Sequence, residues 1–130
     1  MNYKYLIDSS IWIEYFGGTK IGKKVENIIN NETIATSIMA VAELADKFER
    51  ENREFSESLK FIQSRATILQ LSINIVLQAA KLKKELRYKN SKFGIVDAIH
   101  LATSRNESTQ FITADNDFIG IKDVIIINRN

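Results

Sequence analysis

The chain of 130 residues contains no cysteine, no proline, one histidine and one tryptophan. Without cysteine, disulfide staples and thiolate metal sites are excluded, and the composition suits a reducing, cytoplasmic setting. With one histidine, a metal site must draw mainly on oxygen ligands. Long apolar runs are missing too. The longest, Ile38 to Ala42, is far too short to span a bilayer, so no membrane association is expected. The amino-terminal MNYKYLIDSS has no basic region followed by an apolar stretch of signal-peptide length. No G-x-G-x-x-G or P-loop is present, which leaves nucleotide-cofactor binding unsupported. Neither sign of charge dominates: the net charge of +2 permits nucleic-acid binding without arguing for it. The missing proline, beside plentiful isoleucine, asparagine and lysine, reads as coding bias.

What is present is a globular balance of 45% hydrophobic and 26% charged residues. The length suits one domain over residues 1–130 with a real core. Tyr3 to Ile7, Thr33 to Thr36, Thr67 to Leu71, Gln110 to Ala114 and Val124 to Ile127 read as short strands. Between them lie helical patterns. Ser9 and Ser10 are candidate caps for the first helix, and Ser37 for a helix carrying Val41, Leu44 and Phe48. Further helices are expected over Ile75 to Arg87 and Phe93 to Ser104, the latter apolar on most sides and therefore buried. Strands alternating with helices predict a three-layer α/β fold, a central, mainly parallel sheet of about five strands flanked by helices.

Four acids stand where apolar segments end or turn into helices: Asp8, Glu43, Asp97 and Asp115. Parallel α/β sheets bring strand carboxyl ends to one edge, where ligand sites form. Carboxylates converging there repel one another unless a cation neutralises them, and all-oxygen ligands favour Mg²⁺ or Mn²⁺. Each acid has a plain alternative. Asp8 and Asp97 can serve helix ends, Glu43 can reach water from the flank of an apolar face, and Asp115 with Asp117 is ordinary turn chemistry. Asp97 is the strongest single position, because its helix is otherwise nearly all apolar. Thr113 could orient a carboxylate or touch a phosphate.

The segments YLIDSSIWIEYF, TSIMAVAELADKF, FGIVDAIHLATS and FITADNDF together resemble a PIN-domain ribonuclease, most closely a VapC-type toxin of a toxin–antitoxin pair. The resemblance runs from Tyr5 to Phe118. It implies that Asp8, Glu43, Asp97 and Asp115 correspond to the family's acidic metal-binding set, with Asp117 an additional acid and Ser9 the usual small hydroxyl residue. It also implies Mg²⁺- or Mn²⁺-dependent hydrolysis of RNA phosphodiester bonds, a homodimer, and a cognate VapB-like antitoxin as partner. Asp8 and Asp97 are expected to be the most direct ligands, with Glu43 and Asp115 completing the site and Asp117 and Thr113 supporting it.

His100, three residues after Asp97, is read as a helix histidine making an ordinary hydrogen bond, because the metal can supply hydroxide near neutral pH. Substrate phosphates are expected at Lys20, Lys23 and Lys24, and along a second basic segment including Lys84, Arg87 and Lys92. Trp12, Tyr15 and Phe16 are assigned to core or interface. Competing readings are a phosphatase or receiver domain of similar build, a non-catalytic binding module whose acids serve as caps, and a housekeeping PIN nuclease. Against the first, Asp8 is followed by Ser9-Ser10 and so lacks the second acid of an Asp-x-Asp motif.

Overall fold

Short apolar runs bounded by capping side chains set the element pattern, and a computed structural model describes residues 2–130. The strands are β1 (Tyr5–Ile7), β2 (Ile34–Ser37), β3 (Ala66–Leu69), β4 (Gln110–Thr113) and β5 (Val124–Ile126). The helices are α1 (Ser9–Gly17), α2 (Lys20–Asn31), α3 (Ile38–Arg50), α4 (Ser56–Arg65), α5 (Ile73–Leu86) and α6 (Ile95–Asn106). All five strands are parallel, in the order β3-β2-β1-β4-β5. β1 is central, pairing Tyr5 with Ile34 on one side and with Gln110 on the other.

A parallel sheet covered on both faces needs apolar residues at successive strand positions. That is why the β1 and β4 segments are nearly continuous apolar runs. Leu6, Ala35 and Phe111 point into one core with Ala79 of α5, Ala98 and Leu101 of α6, and Phe118. Ile7, Ile34 and Ile112 point into the other, with Ile11 and Trp12 of α1, Val25 of α2, Leu44 of α3 and Ile62 of α4. The result is the expected three layers. Trp12 is fully buried, and its indole N–H donates to Thr36 Oγ1 at 3.1 Å. The ring therefore belongs to the core. Gly22 marks the closest crossing of α1 and α2, where a Cβ would stand 2.2 Å from the Glu14 carbonyl oxygen.

Several element ends differ from expectation, each for a local reason. The cap of α1 is Asp8, not Ser9 or Ser10: its extended backbone and its carboxylate, which accepts from the Ser9 N–H, begin the helix. α5 starts two residues earlier than Ile75, because Ser72 accepts from the Ile75 N–H. α6 starts at Ile95, not Phe93, because Gly94 is extended and its N–H donates to Asp97 Oδ2 at 2.9 Å. The turn chemistry of Asp115 and Asp117 takes the form of a short 3₁₀ turn over Asn116–Phe118, capped by Asp115.

Candidate metal centre

The chain runs from β1 outward to β3, then returns to place β4 on the other side of β1. This reversal opens a crevice outside the carboxyl ends of β1 and β4, the usual ligand position in open α/β sheets. Asp8 follows β1 directly and Asp115 stands two residues beyond β4. Glu43 comes from the second turn of α3, and Asp97 from the first turn of α6. Four chain segments thus deliver acids to one edge.

Asp8 is the most firmly held. It is 5% exposed, and donors surround its carboxylate. Oδ1 accepts from the Ser9 N–H at 2.8 Å, and Oδ2 accepts from Ser10 Oγ and Thr113 Oγ1, both at 2.7 Å. Thr113 Oγ1 in turn accepts from the Asp115 N–H at 3.0 Å, and Ser10 Oγ accepts from the Ala114 N–H at 3.0 Å. One hydroxyl lattice therefore ties β1, α1 and the end of β4 together. Ser9 Oγ donates to Glu43 Oε1 at 3.1 Å, linking the second acid to the first.

His100 takes a larger part than its apolar surroundings suggested. It is buried, stacked on Phe111, with Nδ1 3.2 Å from Ser37 Oγ and Nε2 2.8 Å from Glu43 Oε1. Its Nε2 also lies 3.7 Å from Asp8 Oδ1. Ligand atoms of Asp8, Glu43 and His100 all lie within 4.8 Å of one another, the one such group among the described residues. Burial, the strongest single influence, pulls the His100 pKa down. The Glu43 hydrogen bond and the charges of Asp8, Glu43 and Asp97 outweigh it, so the net displacement is upward. A protonated Nε2 donates to Glu43 and ligates nothing, which makes His100 a brace for Glu43. The sequence signal for this was the three-residue spacing from Asp97 on one helix face.

Asp97 and Asp115 stand outside that tightest trio yet share its field. Both pKa values are raised, first by burial. Asp97 also feels Asp115 and Asp117, and Asp115 feels Asp117, Asp8 and Glu43. Each has one oxygen held by a backbone donor, Gly94 N–H for Asp97 and Asp117 N–H for Asp115. Among the described residues, no protein donor reaches Asp97 Oδ1, Asp115 Oδ2 or Glu43 Oε2. Nor does any lysine or arginine pair with these acids; His100 supplies their ion pairs. Five carboxylates, two of them raised first by burial and then by neighbouring acids, with free oxygens and no paired lysine or arginine form a donor set that fits a hard divalent cation.

The basic residues expected to hold substrate lie on α2, on α5 and in the loop that follows α5. Lys24 Nζ donates to the Asn128 and Asn130 carbonyls, and Lys20 lies beside Arg129 and Asn130. The Arg87 guanidinium is engaged with Ser91 O at 2.7 and 3.1 Å. Lys23, Lys84 and Lys92 are exposed and carry no ion pair among the described residues. Ser10, read only as a helix cap, is the lattice member whose role went unrecognised.

Solved structures similar to this chain share its architecture. A toxin–antitoxin complex from Klebsiella pneumoniae has a chain 25% identical, with a TM-score of 0.77, the match covering 94% of this chain and 96% of that one. VapBC2 from Rickettsia felis, bound to a DNA fragment from its promoter, is 21% identical with a TM-score of 0.76, covering 97% and 98%. VapC20 from Mycobacterium tuberculosis, a sarcin-ricin loop cleaving toxin, is 15% identical with a TM-score of 0.69, covering 98% of each chain. No curated protein matches the sequence. The PIN domain model matches residues 5–124, nearly the whole length, and the chain therefore belongs to the PIN domain family.

Proposed function

We propose that the protein is a Mg²⁺- or Mn²⁺-dependent endoribonuclease, the toxin of a VapBC-type pair, acting in the cytoplasm. The observation that supports this reading is that Asp8, Glu43, Asp97 and Asp115 come from four segments at one edge of the sheet, with Asp8 and Glu43 in one group with His100 and no lysine or arginine paired to any of the four. Asp8, Glu43, Asp97 and Asp115 would hold the metal, with Asp117 at the margin. When bound, the metal supplies Lewis-acid polarisation of the phosphate and acidification of water near neutral pH. The protein's own groups do the positioning. Ser10 and Thr113 fix the rotamer of Asp8, and His100 Nε2 holds Glu43 Oε1 in place at 2.8 Å. Hydrolysis joins a water oxygen to phosphorus, breaks one P–O ester bond and delivers a proton to the leaving oxygen.

A homodimer and a VapB-like antitoxin complete the proposal. It is supported by exposed Ile73, Val76 and Leu77 on α5, an apolar face that suits a protein contact, and by the toxin–antitoxin complexes among the similar structures. Among the described residues no helix is long and apolar enough to cross a membrane. The direct test is RNA cleavage by purified protein with Mg²⁺ or Mn²⁺, its loss with chelator, and its loss in Asp97→Asn. Retained cleavage in Asp97→Asn freed of contaminating nuclease sinks the assignment.

A further inference from the structure

The crossover from β4 to β5, residues 114–123, lies against the α5–α6 face, with Phe118 seated in that core. It forms part of a groove of about 500 Å³. Asn90 Nδ2 donates to the Asp117 carbonyl at 3.0 Å and so fastens the α5–α6 loop to the crossover. Gly120, at φ 81°, supplies the turn. Three cations line the groove: Lys89 from the loop, Arg105 from the last turn of α6, and Lys122 from the crossover. All three are exposed, and none forms an ion pair among the described residues. Apolar Leu86, Ile119 and Ile121 lie between them, Ile119 being 66% exposed.

Asp117 lines the same groove and is coupled by charge to Asp97 and Asp115. The groove therefore adjoins the acid cluster at Asp117. Arg105 and Lys122 also line a shallower depression beside Ser108 and Asp123, and Arg105 a third beside Lys81. A basic track thus leads away from the acids. Cations beside an exposed apolar side chain, Ile119, suit a single strand, which offers phosphates together with sugar and base surface.

We infer that this groove seats the nucleotides flanking the scissile phosphate, with Lys89, Arg105 and Lys122 on backbone phosphates and Ile119 and Leu86 under a sugar or base. The inference rests on the nuclease reading and joins Lys89, which lies within the second basic segment, to Arg105 and Lys122. An acidic peptide is the rival occupant. Continuity with the acids favours the strand whose phosphate they would process.

Binding of fluorescein-labelled single-stranded RNA, followed by anisotropy over a salt series in the absence of divalent ions, tests it. Lys89→Gln and Lys122→Gln should each lower the slope of log affinity against log salt by about 0.7, the contribution of one phosphate contact on a single strand. Lys60→Gln, on the exposed side of α4, should leave the slope unchanged. In cleavage assays with added metal, the Lys89→Gln/Lys122→Gln double variant should raise KM several-fold and hold kcat. Wild-type slopes in both variants, while wild-type protein still cleaves RNA, overturn the groove assignment alone. Unchanged RNA slopes with lost affinity for polyglutamate reassign the groove to an acidic partner and also overturn it. Wild-type protein that neither binds nor cleaves RNA removes the nuclease reading itself.

Discussion

The two sides of the acid cluster are built differently. On the β1 side, Asp8 is buried and receives a backbone N–H and two hydroxyls at 2.7–2.8 Å. On the α6 side, Asp97 and Asp115 are half-buried, each oriented by one backbone N–H, and both are pushed toward protonation. One half is finished by the fold. The other is left partly desolvated beside neighbouring acids, which a cation would relieve. Preorganisation at Asp8 would fix where an ion sits, and relief of the buried charge at Asp97 and Asp115 would favour its binding.

The largest expected effect breaks the finished half. Asp8→Asn removes a charged acceptor from three donors and should cut RNA cleavage by about 10²–10³-fold, measured as kcat/KM with Mn²⁺. It should also destabilise the metal-free protein by about 1–3 kcal/mol, because a neutral amide cannot satisfy the same donors. Asp97→Asn should shift metal-free stability the other way, since it removes repulsion. Equal signs in urea unfolding of the two variants would erase the distinction.

Next in size are the supports of Asp8. Ser10→Ala or Thr113→Val should each weaken Mn²⁺ affinity by about 10–100-fold in calorimetric titration, as expected for partners that orient a ligand. Intact affinity in both would show that Asp8 needs no hydroxyl lattice. Smaller again is the response of thermal stability to metal. Asp97 and Asp115 have folded pKa values above their ordinary ones, so the stability they contribute is fully present below the usual aspartate range. It is lost as pH rises through the raised values. Saturating Mn²⁺ should restore it, raising Tm by about 10 °C at pH 7 for a hundredfold excess over Kd, and by much less at pH 4. A gain independent of pH would count against these two acids as the strained half.

The smallest effect concerns His100. Its folded pKa is raised, so its stabilising contribution is present below the ordinary imidazole value and fades as pH climbs through the raised one. NMR titration of the metal-free protein should place its midpoint above the ordinary value, and Glu43→Gln should lower it.

The layered α/β pattern was legible because each strand is a brief apolar run and each following helix begins at a capping residue. Ser37, read as a cap, accepts from the Ala40 N–H as expected. Ends slipped where a cap of another kind competed, as with Asp8 at α1 and Gly94 at α6. Strand order was not legible, since Tyr5 pairs with both Ile34 and Gln110 and nothing local announces either. At the site, acid positions could be read from where strands stop. The hydroxyl lattice could not, because Ser10 and Thr113 meet only after β1 and β4 pair across about a hundred residues. His100 was misjudged for a related reason: apolar neighbours in sequence hide a carboxylate brought by another helix.

The central position of β1 has a consequence for synthesis. β1 waits for one of its two sheet partners until residue 113 has been made, and Asp115 and Asp117 emerge later still. Pairing at such sequence separation is slow to close. A nascent chain therefore carries Asp8, Glu43 and Asp97 without the strand that locks them, and the acid cluster is complete only once residue 117 has been added. A chain stopped after Asn106, assayed for RNA cleavage and for protease resistance, should show neither.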